Sequence, residues 1–307
     1  MIHVTFEAVN LLKKLKQSRW LRRSLRIAGA TVFVLIVSVF YAGHILTRAS
    51  PRPAGETPNA IPCEAVSFAS PSGATISGWF APGLLGRGCV LLMHGVRGSR
   101  HQMLPRAVWL NELGYSVLLF DFQAHGESTG TRITCGLKES QDAVAALEFL
   151  KSKRPGEKVA AIGVSLGGAA TLLGERPLAV DAVILESVYT TIDAAIENRL
   201  RMRVGFLAPV LKPLMLWQSD LFAGVSTRQL RPIERIHEVS VPVFVIHGTE
   251  DKHTTLDEAQ RLFEQACEPK EFWPVNEAAH VDLFDSSPNE YRRRVGEFLE
   301  RHLGTHY

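Results

Sequence analysis

The chain has 307 residues, of which 46% are hydrophobic, and a formal net charge of +3. This length suits one large domain with an appendage and is too short for three domains. The charge is uneven, because the first 50 residues hold eight Lys and Arg side chains and one acidic residue, Glu7. The rest of the chain has 26 basic and 30 acidic side chains, which does not suggest a nucleic-acid-binding surface.

The N-terminal region combines a basic segment with a long apolar run. Seven Lys and Arg residues precede Ile27–Leu46, which consists mainly of Ile, Val, Leu, Phe, Ala and Gly. Helical residues in this number, at about 1.5 Å each, extend roughly 30 Å, the thickness of the hydrocarbon region of a bilayer. We therefore predict a transmembrane anchor over residues 27–46. The positive-inside rule places the basic residues 1–26 in the cytoplasm and the remaining chain on the far, periplasmic or extracytoplasmic, side.

Two other interpretations of this run stay open. A cleaved signal peptide would have an unusually long charged region here, and the run has no clean small-x-small cleavage site. A buried amphipathic helix would have a polar face, which the run lacks. Both observations favour a retained anchor.

Residues 47–62 are rich in Pro, Ala and small polar side chains, and we predict that they link the anchor to a globular domain over residues 63–307. In that domain short apolar runs alternate with helical stretches. The pattern is typical of an α/β fold with a mostly parallel sheet covered by helices on both faces. The predicted strands are Ala65–Phe68, Thr75–Ala81, Cys89–His94, Ser116–Asp121, Val159–Val164, Ala182–Glu186, Val243–His247 and Lys270–Val275. The predicted helices are Arg106–Leu113, Leu137–Leu150, one after Gly167, Leu256–Ala266 and Asn289–Leu303.

Residues 190–240 interrupt this alternation and are predicted to form a small helical cap. They include the apolar run Val204–Trp217, which either presents apolar surface to an acyl chain or packs against the domain. The four cysteines of the chain form no C-x-x-C pair, so neither a zinc site nor a redox dithiol is indicated. We expect no metal ion and no cofactor.

The segment Gly163-Val164-Ser165-Leu166-Gly167-Gly168 contains a G-x-S-x-G motif. It ends the predicted strand Val159–Val164 and opens a helical segment rich in small residues. A tight turn from strand to helix projects a serine hydroxyl above the sheet, and glycines have no Cβ to clash in such a turn. The helix N-terminus behind the serine favours developing negative charge. We predict that Ser165 is a nucleophile; a structural Gly/Ser turn is the alternative.

A serine nucleophile needs a base that removes its proton and an acid that orients the base. In hydrolases with this motif, the acid and the histidine follow the serine in the chain, at the ends of later strands. Asp251 follows the strand Val243–His247, and His280 follows the last predicted strand. We therefore predict that Asp251 is the acid and His280 the base.

Other residues compete for both roles. Glu250 and Asp282 are alternatives for the acid. His253 is too close to Asp251 in the chain for independent placement, and His302 and His306 lie near the C-terminus. These positions make them weaker candidates than His280.

An oxyanion hole requires backbone N–H donors near the nucleophile. We predict that Leu166, directly after the serine, supplies one of them. The second is expected from the Gly-rich loop MHGVRGSR after the strand Cys89–His94, and Val96 is the predicted donor. An ordinary Gly-rich turn is the alternative. His125, in the polar loop DFQAHGES, precedes the serine in the chain and is assigned a scaffold role.

These motifs occur in one order: HG near Gly95, DFQAHGES, GVSLGG around Ser165, HGTED ending at Asp251 and AAH ending at His280. Together they resemble the α/β-hydrolase superfamily, in particular its branch similar to serine aminopeptidases and monoacylglycerol lipases. The resemblance covers about residues 63–305. It implies an α/β-hydrolase fold, the triad Ser165, Asp251 and His280, and no cofactor. The chain departs from many relatives at Ala124, where they have glycine.

We predict a membrane-anchored serine hydrolase that acts on a carboxylic ester, such as a small or lipid-like acyl ester or a thioester, through an acyl-enzyme on Ser165. A serine peptidase with the same triad is the alternative, ranked second because the cap region has no clear acidic cluster to hold a free amine. A non-catalytic scaffold is disfavoured because all three triad residue types are present. The predicted partners are the ester substrate and the membrane, with no nucleic acid.

Overall fold

The computed structural model describes residues 3–304, and the chain divides into two compact units, one up to Ile45 and one from Leu46 onward. The outermost parts of the predicted basic segment and hydrolase domain, residues 1–2 and 305–307, lie outside the described residues. The helices are α1 (His3–Thr47), α2 (Leu104–Glu112), α3 (Leu137–Lys153), α4 (Leu166–Leu172), α5 (Ile192–Val204), α6 (Ala208–Ala223), α7 (Leu256–Gln265), α8 (Leu283–Ser286) and α9 (Pro288–Leu303). The longer strands are β1 (Glu64–Ala69), β2 (Thr75–Ala81), β3 (Cys89–Met93), β4 (Ser116–Phe120), β5 (Val159–Val164), β6 (Ala182–Glu186), β7 (Val243–Gly248) and β8 (Lys270–Val275).

Helix α1 contains one stretch, Ser18–Thr47, that is long and apolar enough to cross a membrane. The predicted anchor, residues 27–46, lies within it. Only 6% of its most apolar window is buried, so packing inside the protein does not account for these apolar side chains. A signal sequence near the N-terminus can meet the same criteria of length and composition.

The strands β1 to β8 form one sheet in the order β8-β7-β6-β5-β3-β4-β2-β1. The neighbours from β8 to β4 run parallel, whereas β1 and β2 form an antiparallel hairpin that joins β4 antiparallel. The chain proceeds from β3 to β4 on one side and then returns to place β5 on the other side of β3. In open parallel sheets, ligands bind at the carboxyl ends of the strands beside such a reversal. This topology directs attention to the loops after β3 and β5.

The sheet has continuous apolar strands because helices cover both of its faces. Alternate side chains of β3 point to opposite faces: Cys89, Leu91 and Met93 belong to one buried cluster, and Val90 and Leu92 to the other. Helices α3, α4 and α7 contribute to the first cluster, and α2 and α9 contribute to the second. The predicted fold class, an α/β fold with a mostly parallel sheet between helical layers, is confirmed.

The region between β6 and β7, predicted as a cap, contains helices α5 and α6 followed by three short 3₁₀ turns. Helix α6 buries Ala208 and Leu211. Phe206 and Val210, in the same apolar run, are 88% and 73% exposed. The run Val204–Trp217 therefore does not bury its apolar side chains as a whole, and part of it presents apolar surface.

Part of the predicted linker lies against the domain. Residues 50–51 pair as a short parallel strand with residues 125–126. The Ala54 N–H donates to Glu127 Oε1 at 2.9 Å, and the side chain of Ile61 is buried. The chain thus contacts the polar loop after β4 before it enters the sheet.

Candidate active site

Ser165 lies in the turn between β5 and α4, where the strand becomes a helix. Its φ is +48° and its ψ is −102°. For a residue with a side chain such a backbone conformation costs on the order of 1–3 kcal/mol and persists only where the surroundings enforce it. The Ser165 N–H donates to the Glu186 carbonyl at 2.8 Å, which holds the turn against the end of β6. The motif thus forms a strained strand-to-helix turn, the backbone geometry predicted for it.

The glycines of the motif allow a close approach of backbones. A Cβ on Gly163 would lie 2.5 Å from the Gly168 nitrogen, and a Cβ on Gly167 would lie 2.5 Å from the Met93 carbonyl oxygen. Real Cβ atoms essentially never make such short contacts. Side chains are therefore excluded where α4 approaches β5 and β3, and the helix N-terminus lies directly behind Ser165.

His280 and Asp251 form a hydrogen-bonded pair. The His280 Nδ1–H donates to Asp251 Oδ2 at 2.6 Å. The Asp251 carboxylate is fully buried, which by itself raises the pKa of the group, but the hydrogen bond and charge of His280 outweigh burial and lower this pKa below its usual value. An ionised carboxylate on Nδ1 leaves Nε2 as the basic nitrogen of the imidazole.

The three predicted catalytic residues follow the carboxyl ends of parallel strands in the same half of the sheet. Ser165 follows β5, Asp251 comes three residues after β7, and His280 lies in the loop after β8. Carboxyl ends of parallel strands meet at one edge of a sheet, so the three loops share that edge. The described hydrogen bonds join Asp251 to His280, while Ser165 is held through its backbone to β6.

The predicted oxyanion donors belong to two neighbouring loops. Leu166 begins α4, so its N–H has no acceptor within that helix. Val96 follows Gly95, where an added Cβ would lie 3.8 Å from the Ser165 Cβ. The Gly95 N–H donates to Gln102 Oε1 at 2.9 Å, and the Gly98 N–H closes the turn on the Gly95 carbonyl at 3.0 Å. The loop after β3 is therefore fixed beside the serine.

The competing acids take other partners. Asp282 accepts two contacts from the Arg106 guanidinium, at 2.8 and 3.1 Å, and also accepts the Phe284 N–H at the start of α8. Glu250 is exposed, and its N–H donates to the Ala278 carbonyl. Of the three acids, Asp251 is the one whose described hydrogen bonds include His280.

The other histidines considered for the role of the base lie in different parts of the chain. His302 packs its ring edge on Phe298 of α9, with 4.7 Å between ring centroids, and His306 lies outside the described residues. His253 lies flat against His280, with ring centroids 4.9 Å apart and 16° between the planes. Its position near Asp251 in the chain made His253 a weak candidate for the base. The same position brings its ring against that of His280.

The loop after β4 is a polar scaffold around Asp121, whose carboxylate is fully buried. The carboxylate accepts the Arg100 N–H at 2.6 Å, the Arg100 guanidinium at 2.9 Å and the Glu127 N–H at 3.0 Å. Gly126 has φ +53°, and a Cβ there would lie 2.1 Å from the Asp121 carboxylate. Arg100 and Glu127 also form an ion pair. These contacts connect the loop after β4 to the loop after β3, where an oxyanion donor is predicted.

Two buried histidines complete this scaffold. His94 Nε2 accepts the Phe122 N–H at 3.1 Å, so the proton resides on Nδ1, which donates to the Gly95 carbonyl at 2.7 Å. Burial, together with the charge of His125, lowers the pKa of His94 to about 3, against the opposing effect of the Gly95 carbonyl. His125 is buried with its Nδ1 2.9 Å from the Gln123 carbonyl, in keeping with the scaffold role predicted for it.

A buried ionic network centred on Arg106 of α2 was not predicted from the sequence. This guanidinium is fully buried and binds Glu186 at 2.7 Å, Asp282 at 2.8 Å and the Tyr291 hydroxyl at 3.1 Å. Tyr291 in turn donates to Glu186. The network joins the strand beside Ser165 to the loop that contains His280. A basic residue inside the apolar pattern of α2 was the available signal.

The cysteines and acidic residues form no evident metal site. Cys63, Cys89, Cys135 and Cys267 are free thiols. Among the side chains that the structure describes, no group of three or more His, Cys, Asp and Glu residues has the arrangement needed to hold a metal ion.

The chain is similar to known proteins in sequence and in structure. Residues 86–231 match the family described as serine aminopeptidase, S33. The uncharacterized protein Rv2307c of Mycobacterium tuberculosis is 31% identical over 247 residues, which cover 78% of each chain. The uncharacterized protein YfhR of Escherichia coli is 27% identical over 254 residues, covering 79% of this chain and 82% of that one. Among solved structures, the Pyrococcus furiosus esterase Pf2001 is 27% identical, with a TM-score of 0.66, over 83% of this chain and 99% of that chain.

Proposed function

Because the chain belongs to the α/β-hydrolase superfamily, we propose that it is a serine hydrolase that cleaves carboxylic esters through an acyl-enzyme on Ser165. The proposal depends above all on the 2.6 Å hydrogen bond between His280 and Asp251 at the sheet edge where Ser165 lies. Similarity to the Pyrococcus esterase supports an ester as the substrate.

In the first half-reaction His280 Nε2 takes the proton of the Ser165 hydroxyl as its oxygen attacks the ester carbonyl. The Leu166 and Val96 N–H groups stabilise the oxyanion; one such donor contributes about 3–4 kcal/mol in comparable enzymes. Asp251 stabilises the imidazolium that forms. His280 then gives its proton to the leaving alcohol, and the acyl group remains on Ser165.

In the second half-reaction a water molecule attacks the acyl-enzyme. His280 removes a proton from this water and returns it to Ser165 as the second tetrahedral intermediate collapses. The products are a carboxylic acid and the regenerated enzyme. No step requires a cofactor, because the acid–base and nucleophilic groups are all side chains of the chain.

The exposed apolar side chains of the cap favour a substrate ester with a medium or long acyl chain. Phe206, Val210 and Leu221 are exposed apolar side chains on or beside α6. Exposed apolar surface of this kind often binds apolar ligands or membranes. We therefore propose a lipid-like acyl ester or thioester as the preferred substrate class.

A serine peptidase is the second candidate, because the matching family is described as serine aminopeptidase. An aminopeptidase needs an acidic group to bind the free amine of its substrate. In α5, Glu197 pairs with Arg201 and Lys212, at 2.6 and 2.9 Å, and is already neutralised. This pairing favours the ester over the peptide.

We also propose that residues 27–46 cross a membrane, with residues 1–26 in the cytoplasm and the hydrolase domain, residues 63–307 with its cap at 190–240, on the far side. Support comes from the seven basic residues before the apolar run. Protease added outside intact spheroplasts should digest the C-terminal domain. A domain that is digested only after the cells are lysed would contradict this orientation.

The decisive test of the enzyme is covalent labelling. A fluorophosphonate probe should label the full-length protein in detergent at Ser165, and peptide mapping should find the adduct there. The Ser165→Ala variant, with an unchanged melting temperature, should not be labelled. A folded wild-type protein that is not labelled would contradict the proposal.

The substrate class is tested with p-nitrophenyl esters of graded chain length and with aminoacyl p-nitroanilides. We expect hydrolysis of the esters, highest at medium or long acyl chains. Faster cleavage of the aminoacyl amides than of any ester would favour the peptidase.

A further inference from the structure

His253 is the one histidine ring described in contact with the ring of His280. It comes two residues after Asp251, and its ring stacks on His280 with 4.9 Å between centroids and 16° between planes. A single hydrogen bond, from His280 Nδ1 to Asp251, leaves an imidazole free to turn about the axis of that bond. A second ring lying on its face removes this freedom, because turning would separate the stacked surfaces.

The main chain of His253 also holds the acid. The His253 N–H donates to Asp251 Oδ1 at 2.8 Å, and the Thr254 N–H donates to the same oxygen at 3.0 Å. The other carboxylate oxygen, Oδ2, is thereby directed to His280. One turn of the loop after β7 therefore fixes both members of the acid–base pair.

The carbonyl of His253 connects this turn to the cap. Asn198 Nδ2 donates to it at 3.3 Å, and Arg199 Nη1 approaches it at 3.5 Å. Both residues belong to helix α5. The position of the cap is thus linked to the position of the loop that holds the acid and stacks on the base.

We propose that His253 is a positioning residue of the triad: its ring sets the plane of His280, and its main chain orients Asp251. This proposal rests on the proposed function and deepens it. His253 touches no reacting atom and acts only through its two neighbours.

The charge of His253 suits this role. The charges that act on it come from Arg199 and Arg203 of α5, from Asp251 of its own loop, and from His280. Burial, followed by the charges of Arg199 and His280, lowers the pKa of His253 below its usual value, against the effect of Asp251. A neutral ring at neutral pH attracts the imidazolium that forms on His280 during catalysis, whereas a second cation would repel it.

Three variants of the full-length protein in detergent test the proposal, with p-nitrophenyl butyrate as the substrate. His253→Leu removes the aromatic face and should lower kcat about tenfold, the size of effect that loosened catalytic geometry produces, with KM changed less than about twofold. His253→Phe restores a flat ring and should stay within about threefold of wild type. Lys252→Leu, at the exposed neighbouring position, is the matched control and should behave as wild type.

A second readout does not depend on turnover. The proton on His280 Nδ1, hydrogen-bonded to Asp251, should give a low-field NMR signal in wild type and in His253→Phe. The signal should broaden or disappear in His253→Leu at an unchanged melting temperature.

Different results would contradict the positioning role of His253 and the proposed ester hydrolysis. Wild-type kcat and an intact low-field signal in His253→Leu would overturn the positioning role, as would equal losses in His253→Phe and His253→Leu. A wild-type protein that hydrolyses no ester would instead overturn the proposed function, and the NMR comparison would still decide whether His253 positions His280.

Discussion

At the scale of single residues, the loops around the candidate site admit few substitutions because buried polar groups meet backbone there. Asp121 receives two backbone N–H groups and a guanidinium, and His94 receives one N–H and donates to one carbonyl. Removing one partner of such a buried contact leaves the other unsatisfied, which costs more than the contact itself contributes. Two predictions follow from particular atoms in this region.

His94 should make stability dependent on pH. Its pKa is lowered from 6.5 to about 3 in the folded protein, chiefly by burial. Between these values the unfolded chain binds a proton that the folded chain does not. His94 therefore leaves the free energy of unfolding unchanged above pH 6.5 and lowers it progressively as the pH falls toward 3. The slope is up to about 1.4 kcal/mol per pH unit. Urea unfolding of wild type and His94→Gln from pH 7.5 to 4.5 should show a shallower loss in the variant; parallel profiles would contradict the assignment.

Gly126 should tolerate alanine much less well than another glycine of positive φ. A Cβ at Gly126 meets the Asp121 carboxylate at 2.1 Å, whereas a Cβ at Gly73, with φ +88°, meets nothing within 4 Å. Gly73→Ala should cost about 1 kcal/mol from backbone strain alone, and Gly126→Ala about 3 kcal/mol or more because strain and overpacking combine. The free energies of unfolding from urea titration check both values. Equal losses would show that the close contact is relieved by local movement.

At the scale of elements, the Arg106 network joins α2, β6, the start of α8 and α9. The loop that contains His280 lies between two attachments: the Glu250 N–H bound to the Ala278 carbonyl, and Asp282 bound to Arg106. These elements are thus held together by ion pairs and hydrogen bonds of Arg106 and Glu186 as well as by apolar packing. Burial makes such a cluster costly to break, because its remaining charges lose their partner.

Arg106→Met should therefore destabilise the protein by about 3–5 kcal/mol, since Glu186 would stay buried without a counter-charge and the partly exposed Asp282 would lose its ion pair. Arg293→Met is the matched control: this arginine also binds two carboxylates, Glu290 and Glu297, but its side chain is half exposed. Its melting temperature should stay close to that of wild type, because exposed ion pairs contribute little. Equal melting temperatures for the two variants would contradict this account.

At the scale of the whole molecule, the unit from Leu46 onward contains every residue assigned to the site. Residues 46–62 belong to that unit and contact the loop after β4. Ser50 and Arg52 donate to the Ala124 and Gly126 carbonyls at 2.7 and 2.9 Å. The segment between the apolar helix and the sheet is therefore part of the folded domain.

Two truncations test this division. A chain beginning at Leu46 should hydrolyse water-soluble esters with a kcat close to that of the full-length protein, because Ser165, Asp251 and His280 all remain. A chain beginning at Cys63 should be less stable by about 4 kcal/mol, since it loses at least four hydrogen bonds to the loop after β4, three between backbone groups and one to the Glu127 carboxylate, at about 1 kcal/mol each. Urea midpoints check the comparison. Equal midpoints would indicate that residues 46–62 contribute nothing to the fold.

The strands of the sheet could be predicted well because the central ones are continuous apolar runs. Four strands begin and end where predicted, and the other four differ by one residue at one or both ends; the four that match are Thr75–Ala81, Val159–Val164, Ala182–Glu186 and Lys270–Val275. Such runs follow from burial on both faces of the sheet, a local signal that the amino-acid order contains. The Ser165 turn was predicted for the same reason, since its glycines and the preceding strand are adjacent in the chain.

The amino-acid sequence by itself determined the α/β class, the apolar helix and the strand-to-helix turn at Ser165, because each depends on neighbours in the chain. Only the tertiary structure showed that Asp251 pairs with His280 whereas Asp282 binds Arg106, 176 residues before it in the chain. Only the tertiary structure placed the ring of His253 on that of His280 and the residues of the predicted linker on the loop after β4. These contacts join distant segments through side-chain geometry, for which hydrophobic periodicity contains no signal.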